Sequence, residues 1–282
     1  MASCLIMSII TISRELAALG DETAKELARE LGFRLVDREA LNERIAGYDI
    51  ANANFKKYDE KRPAFLASIS EERDDYLHCL KSSVIAEALA GNCIIIGRGA
   101  FAMLEGVPDV VPIFLVSPMR TRLERVKSYF RCDEKRAGHI IEQSDNNRAG
   151  FHKFFFEKNW KDAENYQITL NTGFLHPQTS AELIKNYIES ISCEENAEEC
   201  KQKLHDMTLA RDVVHHIRYE KAIGVHFLDA TVENGIVELY GVANSTLMAD
   251  AASAAAKEVP GVVRVLPDIQ VVQEYSLRPY KI

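Results

Sequence analysis

The chain has 282 residues, 47% hydrophobic and 27% charged, with a formal charge of −8. That composition excludes a disordered or fibrous chain, no stretch approaches the ~18 apolar residues of a membrane span, and the acidic balance argues against non-specific nucleic-acid binding, which requires a basic face. The length fits one large domain with a small one, or two of middling size, since domains cluster near ~100 to 200 residues. The cysteines, Cys4, Cys79, Cys93, Cys132, Cys193 and Cys200, contain no CxxC pair. Neither disulfides nor zinc is expected, and the expected compartment is the cytoplasm.

The mostly apolar run Leu5 to Ile12 has no basic residue before it and no small-residue cleavage site after it, so it reads as a buried strand and not a signal peptide. Behind it Ala24, Leu27, Ala28 and Leu31 recur at helical spacing, and Gly32 is a helix stop. A strand, a tight turn and a helix in that order point free N–H groups and the positive end of the helix dipole at the turn, which is the physical basis of phosphate binding. Yet the turn lacks GxxxxGK[ST] and carries Ala17, Ala18 and Leu19 where glycines would allow close backbone approach. Asp21 is expected at the N-cap, its carboxylate filling the place a phosphate needs.

Further strands, Ile94 to Ile96, Ile113 to Val116 and Ile168 to Leu170, are rich in β-branched residues and alternate with helical patterns, which fits a parallel sheet covered on both faces. The stretch CIIIGRGAF, Cys93 to Phe101, empties a buried strand into Gly97-Arg98-Gly99, where α/β proteins place ligands. Arg98 either forks onto a phosphate or base edge or pairs with a neighbouring carboxylate. The next helix carries Arg120, Arg122 and Arg125. In SDNNRAGFHKFFFEKNW, Arg148 reads as lying between helical segments, three residues after Asp145. The pair forms either a mobile clamp for phosphoryl charge or an ordinary i, i+3 surface contact. Phe151, Phe154, Phe155 and Trp160 read as core.

The acidic run SCEENAEECKQKLHDM reads as a linker over 193–207, dividing a domain at 1–192 from a smaller one at 208–275. The latter begins with a helical pattern from Leu209 to Ala222. A hairpin follows, Val225 to Val232 and Ile236 to Val242 about Asn234-Gly235. The helix Thr246 to Val259 ends at Pro260-Gly261, and Val262 to Val272 is the last strand. His215, His216 and His226 have few acidic or cysteine companions, so no metal site is expected there.

The ordered set ITISRE, DREAL (Asp37 to Leu41), IIIGRGAF, FLVSPMRTRLERV and DNNRAGFHKFFFEKNW resembles the cytidylate-kinase-like branch of the P-loop nucleoside monophosphate kinases, over roughly Met7 to Ser190. The resemblance implies an α/β fold, a P-loop kinase-like parallel sheet flanked by helices. It implies nucleotide binding by Ser13, Arg14, Gly20 and Thr23 around the triphosphate loop and by Asp37, Arg38, Gly97 and Gly99 around the acceptor. Arg98, Asp145 and Arg148 would serve transfer, the last two from the lid, with magnesium and ATP as cofactors if the protein is active. The chain departs from the family at two places. Family members carry a run like GSGGR or GSGKG where Ala17-Ala18-Leu19-Gly20-Asp21 stands here, and classical cytidylate kinases follow Gly-Arg with an aspartate where this chain has Gly99. Two functions are therefore expected: a nucleotide-binding phosphotransferase, or a pseudokinase with a degenerate phosphate loop that works as a ligand-responsive scaffold.

The order helix, strand, strand, helix, strand, with VENGIVELYGVANS, EVPGVVRVLPDIQVV and glycines 235, 241 and 261, resembles the BON domain, a small α+β fold. That resemblance implies a binding or docking module whose ligand is lipid, ion or protein. The expected partner of the large domain is a nucleotide or another phosphorylated small molecule, with no nucleic acid and no transmembrane segment.

Overall fold

A computed structural model describes residues 8–48, 71–191 and 194–272. Leu5 to Met7, Cys4, Ser192 and Cys193 lie outside the described residues. Contacts divide the chain into two compact units, Met1–Cys200 and Lys201–Ile282.

The larger unit is built on a five-stranded sheet in the order β2-β3-β1-β4-β5, every pairing parallel. Its strands are β1 (Ile9–Arg14), β2 (Arg34–Val36), β3 (Cys93–Ile96), β4 (Val110–Val116) and β5 (Ile168–Asn171). The β-branched runs at β1, β3 and β4 are buried on both faces, as parallel strands between helical layers must be. One face packs Ile10, Ile12, Ile94 and Ile113 against Leu27 of α1 (Gly20–Leu31) and Ile184 of α7 (Pro177–Ile191). The other carries α2 (Arg38–Ala46), α3 (Glu71–Leu89), α4 (Ala100–Met103) and a cluster of Phe101, Phe114, Trp160 and Tyr166. Phe151, Phe155 and Trp160 are buried, as their pattern foretold, while Phe154 is half-buried.

An antiparallel pair, α5 (Met119–Phe130) and α6 (Glu134–Phe156), stands beside the turn after β1. The break expected near Arg148 is absent: α6 runs unbroken for 23 residues. Asp133 caps it by accepting from the Arg136 N–H at 2.8 Å, and within the polar stretch Asp145 reaches Arg122 of α5 while Arg148 bonds Ser144 one turn back.

The segment expected as an acidic linker is helical. The helix α8 (Glu194–His215) begins well before Leu209, and the division between the units falls inside it. In the smaller unit β6 (His226–Glu233) and β7 (Ile236–Ala243) form an antiparallel hairpin, and β8 (Arg264–Val271) joins β7 in parallel. Asn234 and Gly235 take φ of 51° and 78°, the left-handed pair a tight hairpin turn requires. Ser245 caps α9 (Thr246–Ala256) by accepting from the Met248 N–H. Val213, Ile217, Val237, Leu239 and Ala252 form a core of this unit's own. Among the described residues no helix is long and apolar enough to cross a membrane.

Candidate functional site

The turn between β1 and α1 lies at the carboxyl end of the central strand, where Gly97 N–H donates to the Ile12 carbonyl and Glu15 N–H to the Leu115 carbonyl, each at 3.0 Å. Despite their Cβ atoms, Ala17 and Leu19 sit at φ 62° and 52°. The loop keeps the left-handed turns glycine would supply, and each such residue costs about 1–2 kcal/mol. Side chains from elsewhere hold it there. Arg122 donates to the Leu16 carbonyl at 2.8 Å, Arg125 to the Ala17 carbonyl at 2.9 Å, and Thr172 Oγ1 to the Ala18 carbonyl at 3.0 Å. Arg125 further engages Ser117 Oγ, Thr172 Oγ1 and the Thr172 carbonyl.

Asp21 is not the N-cap. Leu19 occupies that position without a side-chain hydrogen bond, and Asp21 is the second residue of α1. Its carboxylate is largely exposed and lies 3.6 Å from Arg14 Nε. Gly20 is required between them, because a Cβ there would meet Arg14 Cγ at 2.5 Å. Thr23 is fully buried and donates to the Leu19 carbonyl at 2.8 Å, and Ser13, also buried, bonds Tyr166. In front of the loop is a cavity of about 360 Å³. Three guanidinium groups, Arg14, Arg125 and Arg148, and three carboxylates, Glu15, Asp21 and Glu22, line it.

Asp145 lies in a cluster of ion pairs, and Arg148 lines the cavity. Asp145 accepts both Arg122 Nη atoms, at 3.1 and 2.8 Å, and Lys161 Nζ at 3.0 Å. Glu15 completes the cluster, 3.2 Å from Arg122 and 2.9 Å from Lys161. Arg122 is 3% exposed. Burial alone would push the Asp145 carboxyl up, but the bonds from Arg122 and Lys161 outweigh it and hold it below its ordinary range. The Lys161 ammonium is held above its usual range: burial opposes this, and the bonds to Glu15 and Asp145 prevail. Arg148 turns to Ser144 Oγ and lines the cavity.

The remaining residues lie elsewhere. Asp37 is the N-cap of α2, accepting from the Glu39 and Ala40 N–H groups at 2.9 and 3.0 Å, and Arg38 is exposed at the head of the same helix. Gly97, Arg98 and Gly99 take φ of 70°, 55° and 74° in succession. That reversal drives Arg98 into the interior, where it is 1% exposed and donates to Tyr76 Oη and Asn42 Oδ1, both at 2.9 Å. The place of the family's aspartate has no room for a side chain, since a Cβ at Gly99 would lie 2.2 Å from the Phe156 ring. The structure therefore gathers Arg14, Gly20 and Arg148 about one cavity, sets Arg98 in a separate polar cluster, and gives Asp37 to a helix cap.

The sequence pointed to Arg122 and Arg125 only as helix arginines, and to Glu15, Lys161 and Thr172 not at all. The i, i+3 spacing of Arg122 and Arg125 on α5 was the available signal, for it puts both guanidinium groups on one helix face. Of the cysteines, Cys79, Cys93, Cys132 and Cys200 are free thiols. Among the described residues no three His, Cys, Asp or Glu side chains are grouped to hold a metal ion.

Residues 9–173 match the model of the cytidylate kinase-like family, and residues 205–273 that of the BON domain. Among solved structures the chain is similar to an uncharacterized protein from Eubacterium ventriosum, at 24% identity and a TM-score of 0.52, over 65% of this chain and 99% of that one. It is also similar to shikimate kinase from Bacteroides thetaiotaomicron, at 16% identity and a TM-score of 0.42, over 65% and 99%. Deoxyadenosine kinase from M. mycoides aligns at 18% identity and a TM-score of 0.36, over 65% and 100%. At 24% identity the likeness to the first is one of fold. No curated protein matches the sequence.

Proposed function

The chain belongs to the cytidylate kinase-like family and carries a BON domain behind that region; from this premise we propose that its large unit is a nucleotide-kinase scaffold that no longer grips ATP and acts as a ligand-responsive binding module. One observation carries the reading. Where the family places a basic residue after the loop glycine, this chain places Asp21, whose carboxylate faces the loop cavity beside Arg14. A carboxylate about 5 Å from a phosphate oxygen costs on the order of 3 kcal/mol at an effective dielectric near 20. The triphosphate of ATP, which the family implies, does not suit these residues. The cavity's guanidinium groups are matched by carboxylates, and Arg125 is committed to the loop and to Thr172.

The ligand of the scaffold is, on this reading, a phosphorylated small molecule that displaces Tyr76 or Asn42 from Arg98, as a charge-assisted bond to phosphate is stronger than one to a neutral oxygen. Asp37 and Arg38 flank that side at the head of α2. The BON unit contributes docking to lipid, ion or protein. Phosphoryl transfer is the second reading. It is favoured by the loop, which keeps its left-handed turns at Ala17 and Leu19, and it would enlist Arg98, Asp145 and Arg148 with Ser13, Thr23, Gly97 and Gly99 around the nucleotides.

The test is calorimetric titration of the full chain with nucleoside monophosphates, beside a coupled phosphotransfer assay. Binding that weakens about tenfold or more in Arg98→Ala, with no transfer, is the expected result. Steady turnover of any nucleotide would favour the enzyme instead.

A further inference from the structure

The cavity against the loop has two characters. Leu16, Ala17, Leu19 and Val126 make part of its wall apolar, Ala17 and Leu19 standing in the run where family members are rich in glycine. At its rim stand Tyr129 and Phe130 from the last turn of α5, 84% and 49% exposed, with ring centroids 5.0 Å apart in an edge-on pair. Aromatic faces left in water beside a concave wall gain free energy when another flat ring covers them. Asp21 and Glu22, which repel phosphate, are by the same chemistry good acceptors for hydroxyl donors. The cations do not restore an anion site. Arg125 donates to Ala17, Ser117 and Thr172, Arg14 lies beside Asp21, and Arg148 bonds Ser144.

We propose that this cavity takes an uncharged nucleoside, its base lying against Tyr129 and Phe130 and its sugar hydroxyls donating to Asp21 and Glu22. The place of a triphosphate is thereby turned into a site for a base and sugar. At about 360 Å³ the cavity is at the lower end of the range for small-molecule sites. The proposal rests on the reading that the loop does not grip a triphosphate.

The full chain is to be titrated by calorimetry with adenosine, cytidine, their 2′-deoxy forms, ATP with magnesium, and tripolyphosphate. At least one nucleoside is expected to bind, with ATP no tighter and tripolyphosphate absent. Tyr129→Ala should weaken the nucleoside about tenfold, the scale of one lost base stack. Asp21→Asn should weaken it too while strengthening ATP, a crossed response that mere loss of structure does not produce. Phe174→Ala removes an equally exposed aromatic that does not line the cavity and should leave affinity unchanged. The proposal is overturned if no nucleoside binds, if tripolyphosphate binds as well as a nucleoside, or if Tyr129→Ala binds like the unaltered chain. Phosphotransfer assayed in the same samples separates the two claims: turnover sinks the binding-module reading, whereas absent nucleoside binding without turnover sinks only this one.

Discussion

Leu19 shows how far a single residue can be held from its preference. It sits at φ 52° at the head of α1 with no side-chain cap. Glycine carries no Cβ penalty there, so Leu19→Gly is expected to raise the unfolding free energy by about 0.5–1 kcal/mol net of glycine's extra chain entropy. Denaturant titration reads this directly, and a loss of stability would show that Leu19 packing outweighs its strained backbone. Arg122 is the opposite case. The sequence marked it only as one of three arginines on a helix, and it is buried between Glu15 and Asp145. Arg122→Ala leaves two carboxylates sharing Lys161, and a loss of about 3 kcal/mol or more is expected, as for one partner removed from a buried pair. A melting temperature within a degree or two of the unaltered chain would contradict this.

The same cluster sets a pH dependence. The folded Asp145 carboxyl is held below its ordinary value, so its contribution is present above the unfolded pKa of ~3.9 and is lost as pH falls through the folded one. Glu87 has the same sign: burial would raise it, but the bonds from Arg34 and Arg44 win. Stability is expected to fall steeply below about pH 4, and Asp145→Asn to flatten that fall. Melting curves across the acid range check it, and unchanged curves in the variant would refute it. None of this was legible in the sequence, because Glu15, Arg122 and Lys161 lie far apart in the chain and no period links them. Asp37 was expected beside the acceptor nucleotide; its Oδ1 caps α2, and nothing in the sequence reading foresaw the cap.

At the scale of elements, what was legible is what has a local cause. β1, β3, β4 and β5 announced themselves by β-branched runs, and the hairpin by Asn234-Gly235. β2 escaped notice because three residues, one of them an exposed arginine, carry no readable alternation. The start of α8 was hidden by its charge, for acidity reads equally as a solvated linker or a solvated helix face. Its buried residues have a consequence. Ala197 and Cys200 are almost wholly inaccessible, and Cys200 lies near the buried thiol of Cys93, itself pushed up to about 12 chiefly by burial. A chain ending at Ser192 strips that cover. It is expected to melt well below one ending at Cys200, and equal melting temperatures would place the end of the larger unit before α8.

At the scale of the whole molecule, the smaller unit has its own core of Val213, Ile217, Val237, Leu239 and Ala252. Its strands and helices arrive in one contiguous stretch, and their order was readable because the turn at Asn234-Gly235 and the helix stop at Pro260-Gly261 are local signals. The chemistry was less readable, since it turns on whether a degenerate loop relaxes or is held. Here it is held, by bonds from Arg122, Arg125 and Thr172 to its carbonyls, with Asp21 beside Arg14. The most direct measurement is the calorimetric affinity for magnesium-ATP of the unaltered chain beside the triple variant Ala17→Gly, Leu19→Gly, Asp21→Arg. Restored glycines and a reversed charge gain several kcal/mol at moderate dielectric, and each ~1.4 kcal/mol is tenfold. The account predicts no measurable binding in the unaltered chain and tighter binding by about tenfold or more in the variant; micromolar binding by the unaltered chain, together with transfer to a nucleotide, would contradict it.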